Sequence, residues 1–455
     1  MVEFDQGILT GETLDLQRAM RSNLEGAQKD GAIGVIDIGS TKVACIVVEF
    51  DDGQEQGGNR EISSKGQMDF KVVGAHATKS RGISFGEIDS VRNTEKDVRK
   101  AVSEAQQMAN RNVDIFVVCL SGARPKSQLT SGAISLGEKP VDGTDIAQAM
   151  ASCEFPEFDA SRELLHAQPI NFGVDHRLSL NDPRQLIGNS LEVDMHLLSV
   201  DSSAIENLIG CTSRCQLNLA GITTSAYMSG VACLVEDEQE IGGACVDIGG
   251  GTTSISIFFK KNMIYTATVP VGGRTITSDL SQIFGISFNA AENLKVRKGG
   301  AVATQRDDWD MCELGSGVDG KAHDQEIEKI TRTELIGVIR PRVEEILEII
   351  NSKLEEVNFF DELPGNRIVL TGGCSEMPGL DLLSRQVLGK HIRFGLPIRV
   401  RGLPTKMTGP AYSAAVGLCL HAAHPDDEFW DFKLPNEVIG GTSIGRAFRW
   451  LRRQW

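Results

Sequence analysis

One short phrase occurs twice in this chain, roughly 210 residues apart. The first copy is Gly34-Val35-Ile36-Asp37-Ile38-Gly39-Ser40-Thr41-Lys42, and the second is Cys245-Val246-Asp247-Ile248-Gly249-Gly250-Gly251-Thr252-Thr253. Each reads as an apolar strand ending in Asp, then a tight glycine turn with hydroxyl residues, then a second β-rich run. Backbone N–H groups in such a turn can point at phosphate oxygens, and glycine lets the main chain approach them closely. A carboxylate just before the turn can hold Mg²⁺ through water or orient an attacking water. Two such turns facing each other would grip one polyphosphate from both sides.

The 455 residues suffice for two or three domains with substantial cores. With 41% apolar and 24% charged residues, the composition is that of an ordinary globular protein. A net charge of −16 argues against nucleic acid as a partner, because the phosphate backbone would be repelled. The ten cysteines are scattered, many in apolar runs, and form no Cys-x-x-Cys pair. With no signal peptide, that pattern suggests a reducing cytoplasm. No run approaches the ~20 apolar residues that span a bilayer, so membrane contact would be peripheral.

Along the chain, residues 1–30 are polar and read as a flexible extension. Strands are expected at Ala32–Phe50, Phe70–Ala77 and Val113–Ser121, with a helix at Thr94–Met108. Residues 112–198 have a character of their own and read as a small inserted domain. A long amphipathic helix is expected from about Asp324 to Val357, kinked or divided at Pro341. A third glycine turn, Gly372-Gly373, follows the strand Arg367–Leu370. Paired glycines there would let a purine ring lie against bare backbone. Ser40, Thr41, Thr252 and Thr253 add hydroxyl donors, and Lys42 can offset phosphate charge.

This order of motifs resembles the actin/hexokinase/Hsp70 ATPase superfamily, and within it the FtsA family of bacterial cell-division proteins. The matching stretches are Ser80-Arg81-Gly82-Ile83, Cys119-Leu120-Ser121-Gly122, Leu165-His166-Ala167-Gln168-Pro169 and Asp182-Pro183. Further matches are Gly272-Gly273 with Ile276, Thr277 and Asp279, then Glu292 with Lys295, Ile368 to Gly373, and Tyr412 to Gly417. The resemblance covers about residues 31–455.

It implies an α/β, actin-like two-lobed ATPase fold of duplicated ribonuclease-H-like domains, with an inserted subdomain 1C. Subdomain 1A would take residues 31–111 and 199–225, 1C 112–198, 2A 226–269 and 333–425, and 2B 270–332. It also implies ATP and Mg²⁺ as cofactors. Asp37 would hold Mg²⁺ through water, and Gly39, Ser40, Thr41 and Lys42 would meet phosphates. Asp247 with Gly249, Gly250, Gly251, Thr252 and Thr253 would form the opposite grip, adjoined by Gly272 and Gly273. Glu292 and Lys295, one helical turn apart, would approach ribose and base. Gly372, Gly373 and Met377 would frame adenine.

The connecting segment Gly221-Ile222-Thr223-Thr224-Ser225-Ala226 has hydroxyls but no carboxylate or amide to orient a water. Slow ATP turnover at most is expected, with Asp247 as the group that orients water.

The last thirteen residues form an amphipathic pattern. Ile444, Ala447, Phe448, Leu451 and Trp455 share one helical face, flanked by Trp450. Arg446, Arg449, Arg452 and Arg453 share the other, after an acidic linker at residues 426–442. Apolar groups entering the acyl boundary and arginines facing anionic headgroups are what an interfacial helix needs, at about 1 kcal/mol per arginine. The family resemblance implies the same membrane-targeting role.

It further implies homopolymers, and a basic cluster of Arg297, Lys298 and Arg332 that receives the acidic tail of tubulin-like FtsZ. Later division proteins would bind elsewhere, at the cytoplasmic face of the inner membrane. The eight histidines show no metal-ligand spacing. A sugar or acetate kinase of the same superfamily is the rival enzyme reading. A pilus-type adaptor is the rival binding module.

Overall fold

The structure, a computed structural model, describes residues 23, 24, 26, 27, 30–50, 70–154, 161–180, 182–314, 329–389 and 391–423. The expected N-terminal extension falls largely outside these residues, and the acidic linker and the C-terminal amphipathic segment fall wholly outside them.

The duplicated phrase produces two sheets of the same design. In the first, the strands run in the order Asn218–Thr224, Ile115–Leu120, Ala32–Ile38, Lys42–Phe50 and Phe70–Lys79. In the second, the order is Ile392–Phe394, Arg367–Thr371, Gly243–Ile248, Thr253–Phe259 and Asn262–Val269. Each has three parallel strands followed by two antiparallel ones. The non-edge strands Ala32–Ile38 and Arg367–Thr371 are almost wholly buried. That explains why they read as continuous Val/Ile runs rather than as alternating ones.

Each glycine turn closes a hairpin at the same register. Ile38 pairs with Val43, and Ile248 with Thr253. Asp37 and Asp247 therefore occupy equivalent places, one residue inside each hairpin. Helices Ser225–Cys233 and Ser413–Ala423 pack between the sheets, where Met228, Ala415 and Val416 share one core with Ile33, Val117, Cys245 and Val369. A second core lies under the helices of the second lobe, and a third under Val91–Ala109 on the first.

The inserted domain is a four-stranded antiparallel sheet in the order Lys126–Pro140, Ile187–Asp201, Arg162–Val174 and Arg177–Leu180. Helix Gly143–Ser152 covers it, and Ile146, Met150, Phe172, Leu191 and Met195 form its core. Asp142 starts that helix by accepting from the Thr144 and Asp145 amides at 2.7 and 3.0 Å. The sequence boundary at residue 112 is too early. Ile115–Leu120 pairs in parallel with both Ala32–Ile38 and Asn218–Thr224, so it belongs to the first lobe. The inserted sheet starts at Lys126.

The insertion also touches the second lobe. Ser127 Oγ accepts from the Thr266 amide at 2.8 Å and donates to the Thr266 carbonyl at 3.2 Å. Asn262 Nδ2 donates to the Ile170 carbonyl at 3.2 Å. Both contacts lie along Asn262–Val269, the edge strand of the second sheet.

The long helix differs from expectation at its start and at its proline. It spans Arg332–Glu355 as one element with Pro341 inside, and is not divided there. Thr331 begins it with a capping box, its amide donating to Glu334 Oε2 at 2.7 Å and its hydroxyl accepting from the Glu334 amide at 3.1 Å. Burial of Leu335, Ile339, Val343, Ile346, Leu347 and Ile350 along one face outweighs the single backbone bond the proline removes.

Candidate functional site

The two hairpins meet tip to tip. In each, the first glycine amide bonds back across the turn: Gly39 N to Lys42 O at 3.0 Å, and Gly249 N to Thr252 O at 2.9 Å. A Cβ on Gly250 would stand 1.9 Å from Thr41 Oγ1, and one on Gly251 would stand 2.4 Å from Ser40 Oγ. Real Cβ atoms do not approach that closely, so the contact of the lobes depends on bare backbone at these two positions.

Between the lobes lies a cleft of about 420 Å³. Asp37, Gly39, Ser40, Thr41 and Lys42 line it on one side, and Asp247, Gly249, Gly250, Gly251 and Thr252 on the other. Gly273, Glu292, Lys295, Gly373 and Met377 also line it, as expected. Three expected residues do not. Thr253 is buried, and its hydroxyl donates to the Val271 carbonyl at 2.8 Å. Gly272 packs on the second hairpin, where a Cβ would meet Gly249 O at 2.6 Å. Gly372, at φ +89°, packs behind the Asp247 carboxylate, where a Cβ would meet Oδ1 at 2.3 Å. These three shape the site from outside its wall.

The acids are held by short polar contacts. Asp37 is buried, and its Oδ1 accepts from the Cys119 thiol at 3.3 Å. Burial pushes its carboxyl above the usual range, with Lys42 and Cys119 acting the other way. Asp247 Oδ2 accepts from Ser229 Oγ at 2.6 Å. Burial pushes Asp247 up to about 6, opposed by Ser229 and helped by the charge of Asp37. Two desolvated carboxylates facing a polar cleft fit a divalent cation, which would relieve both.

At the far end, Lys295 Nζ donates to Glu292 Oε2 at 2.7 Å, and to Thr277 Oγ1 and the Gly273 carbonyl at 2.8 Å each. This ties helix Phe288–Lys298 to the start of helix Gly273–Phe284. A Cβ on Gly273 would meet Cys374 Sγ at 2.5 Å, which brings the third glycine turn against the second.

Ser121 and Ser225, from stretches the sequence reading singled out, line the cleft, whereas Ser254, Arg274 and Glu376 line it with no signal in the sequence reading. The family stretch Ser80-Arg81-Gly82-Ile83 also gains a physical role. Asp97, fully buried, accepts from Arg81 N at 2.8 Å and Arg81 Nε at 2.9 Å. That pins the loop whose Gly86 amide donates to Ser40 Oγ at 2.9 Å.

The basic cluster assembles only in part. Arg332 ion-pairs with buried Asp307 at 2.5 Å and donates to the Lys298 carbonyl at 2.7 Å. Lys298 pairs with Asp310 at 2.8 Å. Lys298 and Arg332 are thus each paired with a carboxylate of their own chain. Arg297 is exposed, beside Val296, which is 72% exposed. Among the described residues no group of three or more His, Cys, Asp and Glu side chains is arranged to hold a metal ion. None of their helices is long and apolar enough to cross a membrane.

Comparison with known proteins then decides the family. A cell division protein FtsA from Rhizobium meliloti is 34% identical over 431 residues, covering 94% of this chain and 96% of that one. The chain belongs to the FtsA family. The FtsA of Escherichia coli K12 is 27% identical, covering 92% of this chain and 97% of its own. The FtsA family pattern, described as "Cell division protein FtsA", matches residues 244–417. A second pattern, "SHS2 domain inserted in FTSA", matches residues 122–199, the four-stranded sheet described above.

The fold is actin-like, and the SHS2 insertion is its 1C subdomain. A solved PilM-PilN type IV pilus biogenesis complex superposes with a TM-score of 0.58 at 14% identity, covering 86% of this chain and 98% of that one. MreB5 of Spiroplasma citri, solved bound to ADP, gives 0.51 at 12% identity, covering 87% and 98%. An FtsA-family chain is a cell-division protein, and the cleft built by its hairpins lies in the actin-like core.

Proposed function

We propose that this FtsA-family protein binds Mg·ATP in the interlobe cleft, polymerises, and tethers FtsZ filaments to the cytoplasmic membrane while recruiting later division proteins. The observation that carries the nucleotide reading is the tip-to-tip pair of equivalent hairpins, each with a buried or half-buried Asp one residue before its turn.

The residues divide the work by lobe. Gly39, Ser40 and Thr41 line the cleft from the first hairpin, and Gly250, Gly251 and Thr252 from the second. Such turns favour anionic oxygens because several N–H dipoles converge. Asp37 and Asp247 hold the cation through water. Glu292 and Lys295 are fixed by their mutual bond and by Thr277, so they present a rigid edge to ribose and base. Met377, Pro378 and Gly373 supply an apolar slot for the purine. ATP supplies a polyanion that both lobes bind at once, favouring the closed cleft by its differential affinity for that state.

Turnover is slow in this reading. The connecting segment includes Thr224, whose hydroxyl caps helix Ser225–Cys233 by accepting from the Tyr227 amide at 3.4 Å. Ser225 alone of that segment lines the cleft, and it has no carboxylate. Asp247, beside the second hairpin, would also orient the attacking water.

The membrane and FtsZ roles rest on sequence and family. The arginine face of residues 443–455 and the apolar, tryptophan-bearing face opposite it suit an anionic membrane interface. Exposed Arg297 and Val296 suit an acidic, apolar tail. The test is sedimentation with anionic vesicles, with and without ATP, comparing the full chain with one ending at Thr442. The full chain is expected to pellet and the truncated one to stay in solution. Equal behaviour of the two would reject the tail as the tether.

A further inference from the structure

Three cations line the cleft: Lys42, Arg274 and Lys295. Lys295 is committed to Glu292. Neither Lys42 nor Arg274 has a carboxylate within salt-bridge distance among the described residues. Lys42 Nζ instead stands over the Tyr412 ring, 4.6 Å from its centre. Lys42 belongs to the first lobe and Arg274 to the second, so the cations without a salt bridge come from both sides.

Arg274 is the less expected of the two. It follows Gly273 at the start of helix Gly273–Phe284, and its amide donates to Gly250 O at 2.7 Å. Its side chain is half-buried and crosses to the first lobe. Nη1 donates to the Ser40 carbonyl and to the Ile83 carbonyl, both at 3.3 Å. The Phe288 ring lies 5.5 Å from the guanidinium carbon. A guanidinium has five N–H donors, and here the two bonds to protein are long and fall on one nitrogen. A half-buried arginine with donors to spare and no anion beside it is an anion site awaiting its ligand.

We propose that Arg274 binds the polyphosphate from the second lobe and makes the cleft prefer a nucleoside triphosphate over a diphosphate. This rests on the nucleotide reading above. The placement favours the end of the phosphate chain, because Arg274 is bonded to both hairpin tips, at Gly250 and at Ser40. The base end is held elsewhere, by Glu292, Lys295 and Met377. Since the guanidinium reaches Ser40 only when the hairpins touch, the same residue links triphosphate recognition to closure of the cleft.

The experiment is calorimetric titration of the full chain with Mg·AMPPNP and with Mg·ADP, for wild type, Arg274→Gln and Arg274→Lys. Thermal unfolding of each variant without nucleotide checks the fold. Wild type is expected to bind AMPPNP more tightly than ADP. R274Q is expected to lose at least tenfold in AMPPNP affinity and less than twofold for ADP. R274K, which keeps the charge without the planar fork, is expected to fall between them. Equal weakening of both nucleotides would overturn the proposal and leave Arg274 as a mere strut between lobes. Unchanged binding of both would overturn it as well. Saturable binding of neither nucleotide by wild type would instead reject the nucleotide reading itself, and the proposal with it.

Discussion

Thr41 Oγ1 lies 1.9 Å from the point where a Cβ on Gly250 would sit, although the two residues belong to different lobes. The contact of the lobes thus depends on the missing side chain at Gly250, as it does at Gly251. Gly250→Val is expected to prop the hairpins apart and weaken nucleotide binding at least tenfold. Each lobe keeps its own core, so thermal unfolding without nucleotide should change by less than about 1 kcal/mol. Calorimetry with Mg·ATP and a thermal melt check the two halves of this expectation.

Asp247 carries a pH signature. Its carboxyl is raised from the ordinary value to about 6 in the folded chain. A raised acid stabilises the fold below its unfolded value, near pH 4, and loses that contribution as pH rises through about 6. At pH 7.5 the ionised group is a burden, because it is largely desolvated. Asp247→Asn is therefore expected to stabilise the nucleotide-free protein by about 1–3 kcal/mol at pH 7.5, and to change little at pH 4. It should also weaken binding of Mg·ATP, since a neutral amide holds a cation poorly. Melting curves across pH 4–8 test the first part, and magnesium-dependent nucleotide titration tests the second.

Much of this site is legible along the chain, because its parts are local. A Val/Ile strand, an Asp and a glycine turn lie within nine residues, and the structure places both copies at equivalent register. What escapes the sequence is made by tertiary contact. Arg274 is one arginine after a glycine pair, and only closure brings it to the Ser40 and Ile83 carbonyls of the other lobe. Arg332 reads as a free cation until the fold brings Asp307 to it. The insertion starts at Lys126 rather than at residue 112, because strand pairing, which the sequence does not display, puts Ile115–Leu120 in the sheet of the first lobe. Pro341 does not divide its helix, because buried side chains on both flanks hold the helix together.

Arg297 and Arg332 should separate cleanly. Burial alone would raise the Asp307 carboxyl, but the Thr304 amide and hydroxyl and Arg332 outweigh it and hold Asp307 below its ordinary value. Arg332→Ala would strand that carboxylate and is expected to cost about 3–5 kcal/mol. Arg297→Ala, at an exposed position, should leave the melt within about 0.5 kcal/mol. It should nonetheless weaken binding of an acidic FtsZ tail peptide and flatten the salt dependence of that binding. Fluorescence anisotropy with the labelled peptide at two salt concentrations measures this.

Ser127 joins the 1C insertion to the second lobe. Its hydroxyl donates to the Thr266 carbonyl and accepts from the Thr266 amide, so it can only accept from His196 Nε2, 3.0 Å away. That assigns the Nε2–H tautomer and agrees with the absence of a partner for Nδ1. Burial, with the neighbouring His166, lowers His196 to about 3, so the ring stays neutral at physiological pH. Ser127→Ala would leave the Thr266 amide without its acceptor and is expected to cost about 1–3 kcal/mol. Hydrogen exchange should rise along Asn262–Val269 while the core of the insertion stays protected.

The account stands on the cleft between the two hairpins, and equilibrium titration of the full chain with Mg·ATP tests it most directly, wild type beside G250V. One saturable site per chain in the wild type, weakened at least tenfold by the added side chain, is the predicted result. No saturable binding to wild type, or the same affinity in both, would contradict it.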